Sequence, residues 1–190
     1  MIKGKFDFKE LKQYQKKLEK LAKDSEKIDE FCEQCAKRLA AELLKIVIPL
    51  TPAEQSLKYI DEDGKPKTKK VGGTLKRGWI AKTEQEAENG TETENLGAYI
   101  QSAIDSLNIT KSGNIYTIEI INPVHYASYV EEGHRQEVGR YVPAIGKKLK
   151  QSFVEGKHML RDSEKELDKK TKAILERKIK TFLEEYLNGN

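Results

Sequence analysis

The residue types best suited to chemistry gather in one short stretch of this sequence. Glu131-Glu132-Gly133-His134-Arg135 puts two carboxylates and an imidazole within four positions, with His125 upstream and His158 downstream. Glu131, Glu132 and His134 around a divalent ion would suit a metal-dependent or nucleic-acid-processing enzyme. Hard cations want several converging oxygen ligands, usually including Asp, and Asp is scarce nearby. The competing reading is a helix end. There Glu131 pairs with a neighbouring cation, Gly133 takes the left-handed cap, and His134-Arg135 leads into a loop. The second reading is preferred.

Cys32 and Cys35 form a CxxC. A zinc or redox site needs a second pair or a nearby His, and the three histidines lie far downstream. Positions three apart on a helix share a face, so these two read as buried thiols. There is no GxSxG, no phosphate-cradling glycine loop and no HExxH. No cofactor and no metal is expected.

The elements that position these residues must carry much charge. Of 190 residues, 37% are apolar and 35% charged, against about 45–50% and about 25% in an average domain. That balance favours long, thin elements over a thick globule. The net charge of +4 is too even to imply nucleic-acid binding by itself. Its distribution is not even. Thr83–Asn95 holds five Glu and no Lys or Arg, whereas Arg135–Arg161 holds seven Lys or Arg against two Glu. No apolar run approaches the ~18 residues of a membrane span, and the charged start has no signal-peptide core. The expectation is a protein of the cytoplasm.

Leu11, Tyr14, Leu18, Leu21, Ser25, Ile28, Cys32, Cys35 and Leu39 are spaced alternately three and four apart. The stripe predicts one amphipathic helix over about 8–48, ended by Pro49 and Pro52. Long loops are expected at 51–73, 84–96 and 134–156, the last with room for a hairpin. Residues 74–83 read as a helical turn entering a strand at Trp79-Ile80, and 97–110 as a strand. Ile115–Ile121 is the best strand, with Tyr116, Ile118 and Ile120 on one side. Asn122-Pro123 opens a short helix that stops at Gly133. His158-Met159-Leu160 returns a strand before a last helix from Asp162 or Ser163 to about Leu187. The whole reads as a single α+β domain: a small antiparallel sheet flanked by a long N-terminal, a short middle and a C-terminal helix.

The stretch NPVHYASYVEEGHR at 122–135 resembles the gene-ten-like tail-completion or neck proteins of long-tailed bacteriophages. Three further features agree in order: a Lys/Glu-rich first helix ending near Thr51-Pro52, GGTLKRGW at 72–79, and GKHML at 156–160. The 136–155 loop is not part of the likeness. The resemblance implies a virion structural role in tail completion or head–tail joining, in a ring expected to be sixfold. Partners would be further copies of the chain and neighbouring neck or tail proteins, with DNA only as channel contents. It would assemble in the bacterial host cytoplasm and end in the tail or neck of the virion.

By carry-over, Tyr126, Tyr129, Glu131, Gly133 and His134 mark a corner that fixes the following loop. Gly73, Leu75 and Trp79 support the sheet opposite. Lys147, Lys148 and Lys150 form a basic patch that complements the acidic 84–94 stretch of a neighbouring subunit.

Overall fold

The computed structural model describes residues 9–53, 57–60, 66–70, 72–90, 96–143 and 146–188. Its helices are α1 (Lys9–Lys23), α2 (Ser25–Leu50), α3 (Thr74–Gly78), α4 (Glu84–Asn89), α5 (Leu96–Asp105), α6 (Ala127–Glu132) and α7 (Met159–Asn188). The strands are β1 (Leu57–Ile60), β2 (Pro66–Lys70), β3 (Ile109–Ser112), β4 (Ile115–Ile118), β5 (Gly133–Arg135), β6 (Tyr141–Val142), β7 (Lys147–Lys148) and β8 (Phe153–Glu155). The class is α+β, as expected. The strands pair antiparallel as four separate ribbons, β1-β2, β3-β4, β5-β8 and β6-β7, instead of one sheet.

The N-terminal stripe belongs to two helices, not one. The Asp24 side chain accepts the Lys27 N–H at 3.2 Å and caps α2, because a short carboxylate bonds a downstream amide better than it continues a helix. Ser25, the polar step in the stripe, opens the second helix. At the other end α2 runs through Pro49, whose missing N–H removes one bond in the last turn. Thr51 closes it by donating both its N–H (3.0 Å) and its hydroxyl (2.7 Å) to the Val47 carbonyl.

The core sits at this end. Ala40, Ala41, Leu44, Val47 and Ile48 of α2 join Leu75, Trp79, Ala87, Ile100, Ile104, Val124 and Met159, with Ile118 and Ile120 at the margin. α7 packs antiparallel along α2: Phe31 stacks on Phe182 (4.4 Å, 25°) and the Lys27 ammonium lies 5.1 Å from the Tyr186 ring centre. Both cysteines are free and on this face. Burial raises the Cys35 thiol pKa, Cys32 raises it further, and Lys178 opposes.

Several expected loops and strands differ. Within 51–73 lies the β1-β2 hairpin; the Asp61–Lys65 turn falls outside the described residues. Within 84–96, Glu84–Asn89 is helix, started by Thr83, whose hydroxyl accepts the Glu86 N–H at 3.2 Å. Residues 96–105 are helix α5 instead of strand, because Ile100 and Ile104 fall four apart on one buried face. Trp79 is the C-cap of α3 and begins no strand. The middle helix starts at Ala127, not at Pro123: the Asn122 side-chain carbonyl does accept the Val124 N–H at 3.2 Å, as a cap would, but no helix follows it directly and Tyr126 is the N-cap. Met159 begins α7, and the returning strand is Phe153–Glu155.

Candidate functional site

The segments that carried the family resemblance converge on one junction. Thr51 is its hub: buried, it accepts the Trp79 indole N–H at 2.7 Å while donating to Val47. The 72–79 segment then meets the 122–135 stretch. Asn122 donates its amide to the Leu75 carbonyl at 2.8 Å, and its own carbonyl accepts the Val124 N–H at 3.2 Å. This close approach requires Gly78, where an added Cβ would stand 2.1 Å from Asn122 Oδ1. Gly73 takes φ +83°, which favours glycine, and opens α3. Leu75 and Trp79 enter a core that is mainly helical. Arg77 braces the same corner by donating to the carbonyls of Gly72 (2.5 Å) and Ala87 (2.7 Å).

The 122–135 stretch meets 156–161 in the same manner. The Glu131 carboxylate accepts the backbone N–H groups of Leu160 (2.9 Å) and Arg161 (3.0 Å), so it caps α7 from another element. The carbonyls of Val130 and Glu131 accept from Lys157 (2.7 Å) and His158 (3.1 Å). Gly133 and Gly156 let the backbones cross. An added Cβ at Gly133 would lie 2.3 Å from the Val154 carbonyl, and one at Gly156 would lie 2.1 Å from that of Glu131. Glu131 thus pairs with helix amides, where the sequence suggested a cation.

Tyr126, the N-cap of α6, packs half-buried on the core. Tyr129 is largely exposed and meets the His134 ring edge-on at 5.9 Å. Glu132 points to solvent. Among the described residues no group of three or more His, Cys, Asp or Glu is arranged to hold a metal ion, so Glu131, Glu132 and His134 are not brought together as ligands. The Nδ1 atoms of His134 and His158 are shielded and lack a hydrogen-bond partner among the described residues.

From this junction a β arm leaves at Gly133 and returns at Glu155. β5 pairs with β8, and β6 pairs with β7 toward the tip. Further rungs join Gln136 to Ser152 and Gly139 to Leu149, each at 2.9 Å. None of its described residues is buried, and Val138, Tyr141 and Phe153 are exposed. Lys147, Lys148 and Lys150 are exposed on the outer half. The acidic segment is partly engaged within its own subunit. Glu84 bonds the His125 ring, which holds its carboxyl below the usual range, and Glu86 accepts the Lys82 N–H at 2.8 Å. Glu92 and Glu94 lie outside the described residues.

The signals missed in the sequence were local. Thr83-x-x-Glu86 is a helix-start pattern, and Asp24-Ser25 marks a break.

At this junction most polar groups bond one element to another, which suits a structural component. The comparison of families agrees: residues 12–133 match the HK97-gp10-like family, described as "Bacteriophage HK97-gp10, putative tail-component". The chain belongs to that family, and its role is that of a phage tail structural component carried in the virion. The match ends at Gly133, the first residue of the arm. Comparison with curated proteins and with solved structures gives no match. No helix among the described residues is long and apolar enough to cross a membrane.

Proposed function

We propose that this chain is a neck or tail-completion subunit that assembles with further copies of itself into a ring, joining tail to head. The observation that carries the reading is the 133–155 arm: it exposes apolar side chains beside cations, and none of its described residues is buried. In a ring each subunit presents one surface to a different surface of the next. The arm with Lys147, Lys148 and Lys150 is one such surface, and α4 with exposed Glu86 and Glu88 is its complement. The corner of Tyr126, Tyr129, Glu131, Gly133 and His134 sets the direction of the arm, and Gly73, Leu75 and Trp79 hold the core behind it. Assembly takes place in the host cytoplasm, with neighbouring neck or tail proteins above and below. Six subunits around a DNA channel is the expected count.

Negative-stain imaging of the purified protein, and of particles made without it, tests this. Rings, or tails that fail to join heads, are expected; normal infectious particles without the protein would overturn the proposal. Charge reversal at Lys147, Lys148 and Lys150 is expected to weaken assembly at low salt, and unchanged assembly would remove the arm from the interface. The enzymatic alternative through Glu131, Glu132 and His134 is disfavoured, because both Glu131 oxygens already accept backbone amides.

A further inference from the structure

A cleft of about 520 Å³ opens where α2, α5 and α7 meet, away from the arm and the junction. Buried Ala41 and Ile104 contribute its apolar lining. Two basic dipeptides line it from opposite helices, Lys37-Arg38 on α2 and Arg177-Lys178 on α7.

What sets these cations apart is how α7 treats its others. Arg161 and Lys165 lie against Asp162, Lys169 and Lys170 against Glu166, Lys172 against Glu176, and Lys180 against Glu184. Arg177 and Lys178 are the two α7 cations with no carboxylate partner among the described residues. Lys37 has none either, and Arg38 has Glu42 at 3.6 Å. Four positive charges thus line one concavity, and none of its described lining residues is a carboxylate. A concave wall of like charge focuses the field and favours an anionic occupant. Guanidinium groups present paired donors that match phosphate oxygens, while lysines add point charge. The volume falls within the usual range of ligand clefts, about 300–1,000 Å³.

We infer that this cleft binds phosphate oxyanions, with Arg38 and Arg177 gripping oxygens and Lys37 and Lys178 supplying charge. The inference does not depend on ring formation. The phosphates can belong to a free polyphosphate or to a nucleic-acid backbone, and two probes separate these sources. The full-length chain is titrated by calorimetry with tripolyphosphate and, separately, with a short DNA duplex in moderate salt. The same titrations use a cleft variant, Arg38→Gln with Arg177→Gln, and an arm variant of equal charge loss, Lys147→Gln with Lys148→Gln. Thermal melts check that each is folded, and Lys37→Gln with Lys178→Gln stands in if the first does not fold.

The expected result is binding that the cleft variant weakens about tenfold or more and the arm variant changes about twofold or less. That pattern with tripolyphosphate supports a free ligand; that pattern with the duplex alone supports a backbone. Failure of both probes to bind, or equal loss in both variants, overturns the inference.

Discussion

The two halves of α2 share one helix and two environments. From Ala40 to Ile48 its apolar face is closed over by α3, α5, Val124 and Met159, and Leu44 and Val47 are almost wholly out of water. From Ser25 to Gln34 the same stripe is covered chiefly by α7 and the end of α1, and Ile28 stays 36% exposed. α7 mirrors this: Met159 is buried at its start, while Ile179 is exposed toward its end. What separates the halves is how many elements pack on them, because packing of an apolar face supplies most of a helix's stability in a protein. The charge excess of the composition is therefore not spread evenly. It belongs to the half-covered helices and the arm, while the junction is an ordinary core.

The sharpest test of that contrast is a pair of truncations. Leu44→Ala removes a fully packed side chain and is expected to destabilise by about 3–4 kcal/mol. Ile28→Ala is expected to destabilise by about 1 kcal/mol or less, since its side chain is already partly hydrated. Denaturant unfolding measures both. Equal losses would mean that the two halves are equally supported, and the comparison would fall. Amide exchange gives a second reading: slow for Leu44–Ile48, fast along α1.

Glycines separate conformation from packing in the same way. Gly133 and Gly139 both have positive φ, +83° and +87°. An added Cβ at Gly133 meets the Val154 carbonyl, whereas at Gly139, out on the arm, it meets nothing within 4 Å among the described residues. Gly139→Ala is expected to lose about 1 kcal/mol from backbone strain alone. Gly133→Ala is expected to lose about 3 kcal/mol, because its neighbouring backbone must also move. Thermal melts distinguish them, and similar losses would show that the crossing at Gly133–Gly156 has room to relax.

Glu131→Ala removes two charge-assisted bonds to the start of α7 and is expected to destabilise by about 2 kcal/mol. Glu131→Gln keeps one acceptor and should lose less. Both effects should be indifferent to added divalent metal. Dependence on metal would revive the reading of Glu131 as a ligand.

How much of this was legible in the sequence follows from range. The stripe from Leu11 to Leu39 carried the helical period, and the alternation at Tyr116 and Ile118 carried the strand, which ends at Ile118 and not at Ile121 as expected. Glycine at 133 marked a helix end, but with φ +83° and ψ 175° it takes an extended positive-φ conformation and not the expected left-handed cap. What failed was local competition within polar segments. The Glu-rich run at 84–89 looked like a loop although Thr83 and Glu86 form a helix start. Residues 97–105 looked extended although Ile100 and Ile104 sit at helical spacing. Contacts between distant segments were invisible: no local pattern says that Glu131 will cap α7, that Thr51 will bond Trp79, or that Lys37-Arg38 will share a cleft with Arg177-Lys178.

The smallest expected effect lies at the thinly covered end, where the β3-β4 hairpin is tied to α2 by side chains. Lys111 and Tyr116 both donate to the Asp29 carboxylate. These hydrogen bonds, Lys111 first, hold the Asp29 carboxyl below its usual range, and Asp29 in turn raises Lys111 and Tyr116. A depressed carboxylate contributes stability above its unfolded pKa, about 3.9, and loses it as pH falls through the folded value. A raised lysine or tyrosine contributes below its unfolded pKa, about 10, and loses it as pH rises through the folded value. The tether is therefore expected to be flat from about pH 5 to about pH 9 and to loosen at both ends. The groups are partly exposed, so salt should weaken it further. Amide exchange along Ile109–Ile118 reads it, with Asp29→Asn expected to speed exchange at neutral pH and to abolish the acid-side dependence while leaving Leu44–Ile48 protected. If Asp29→Asn left the hairpin as protected as before, packing of Ile118 on the core would suffice to hold it, and the thin end would need no tether.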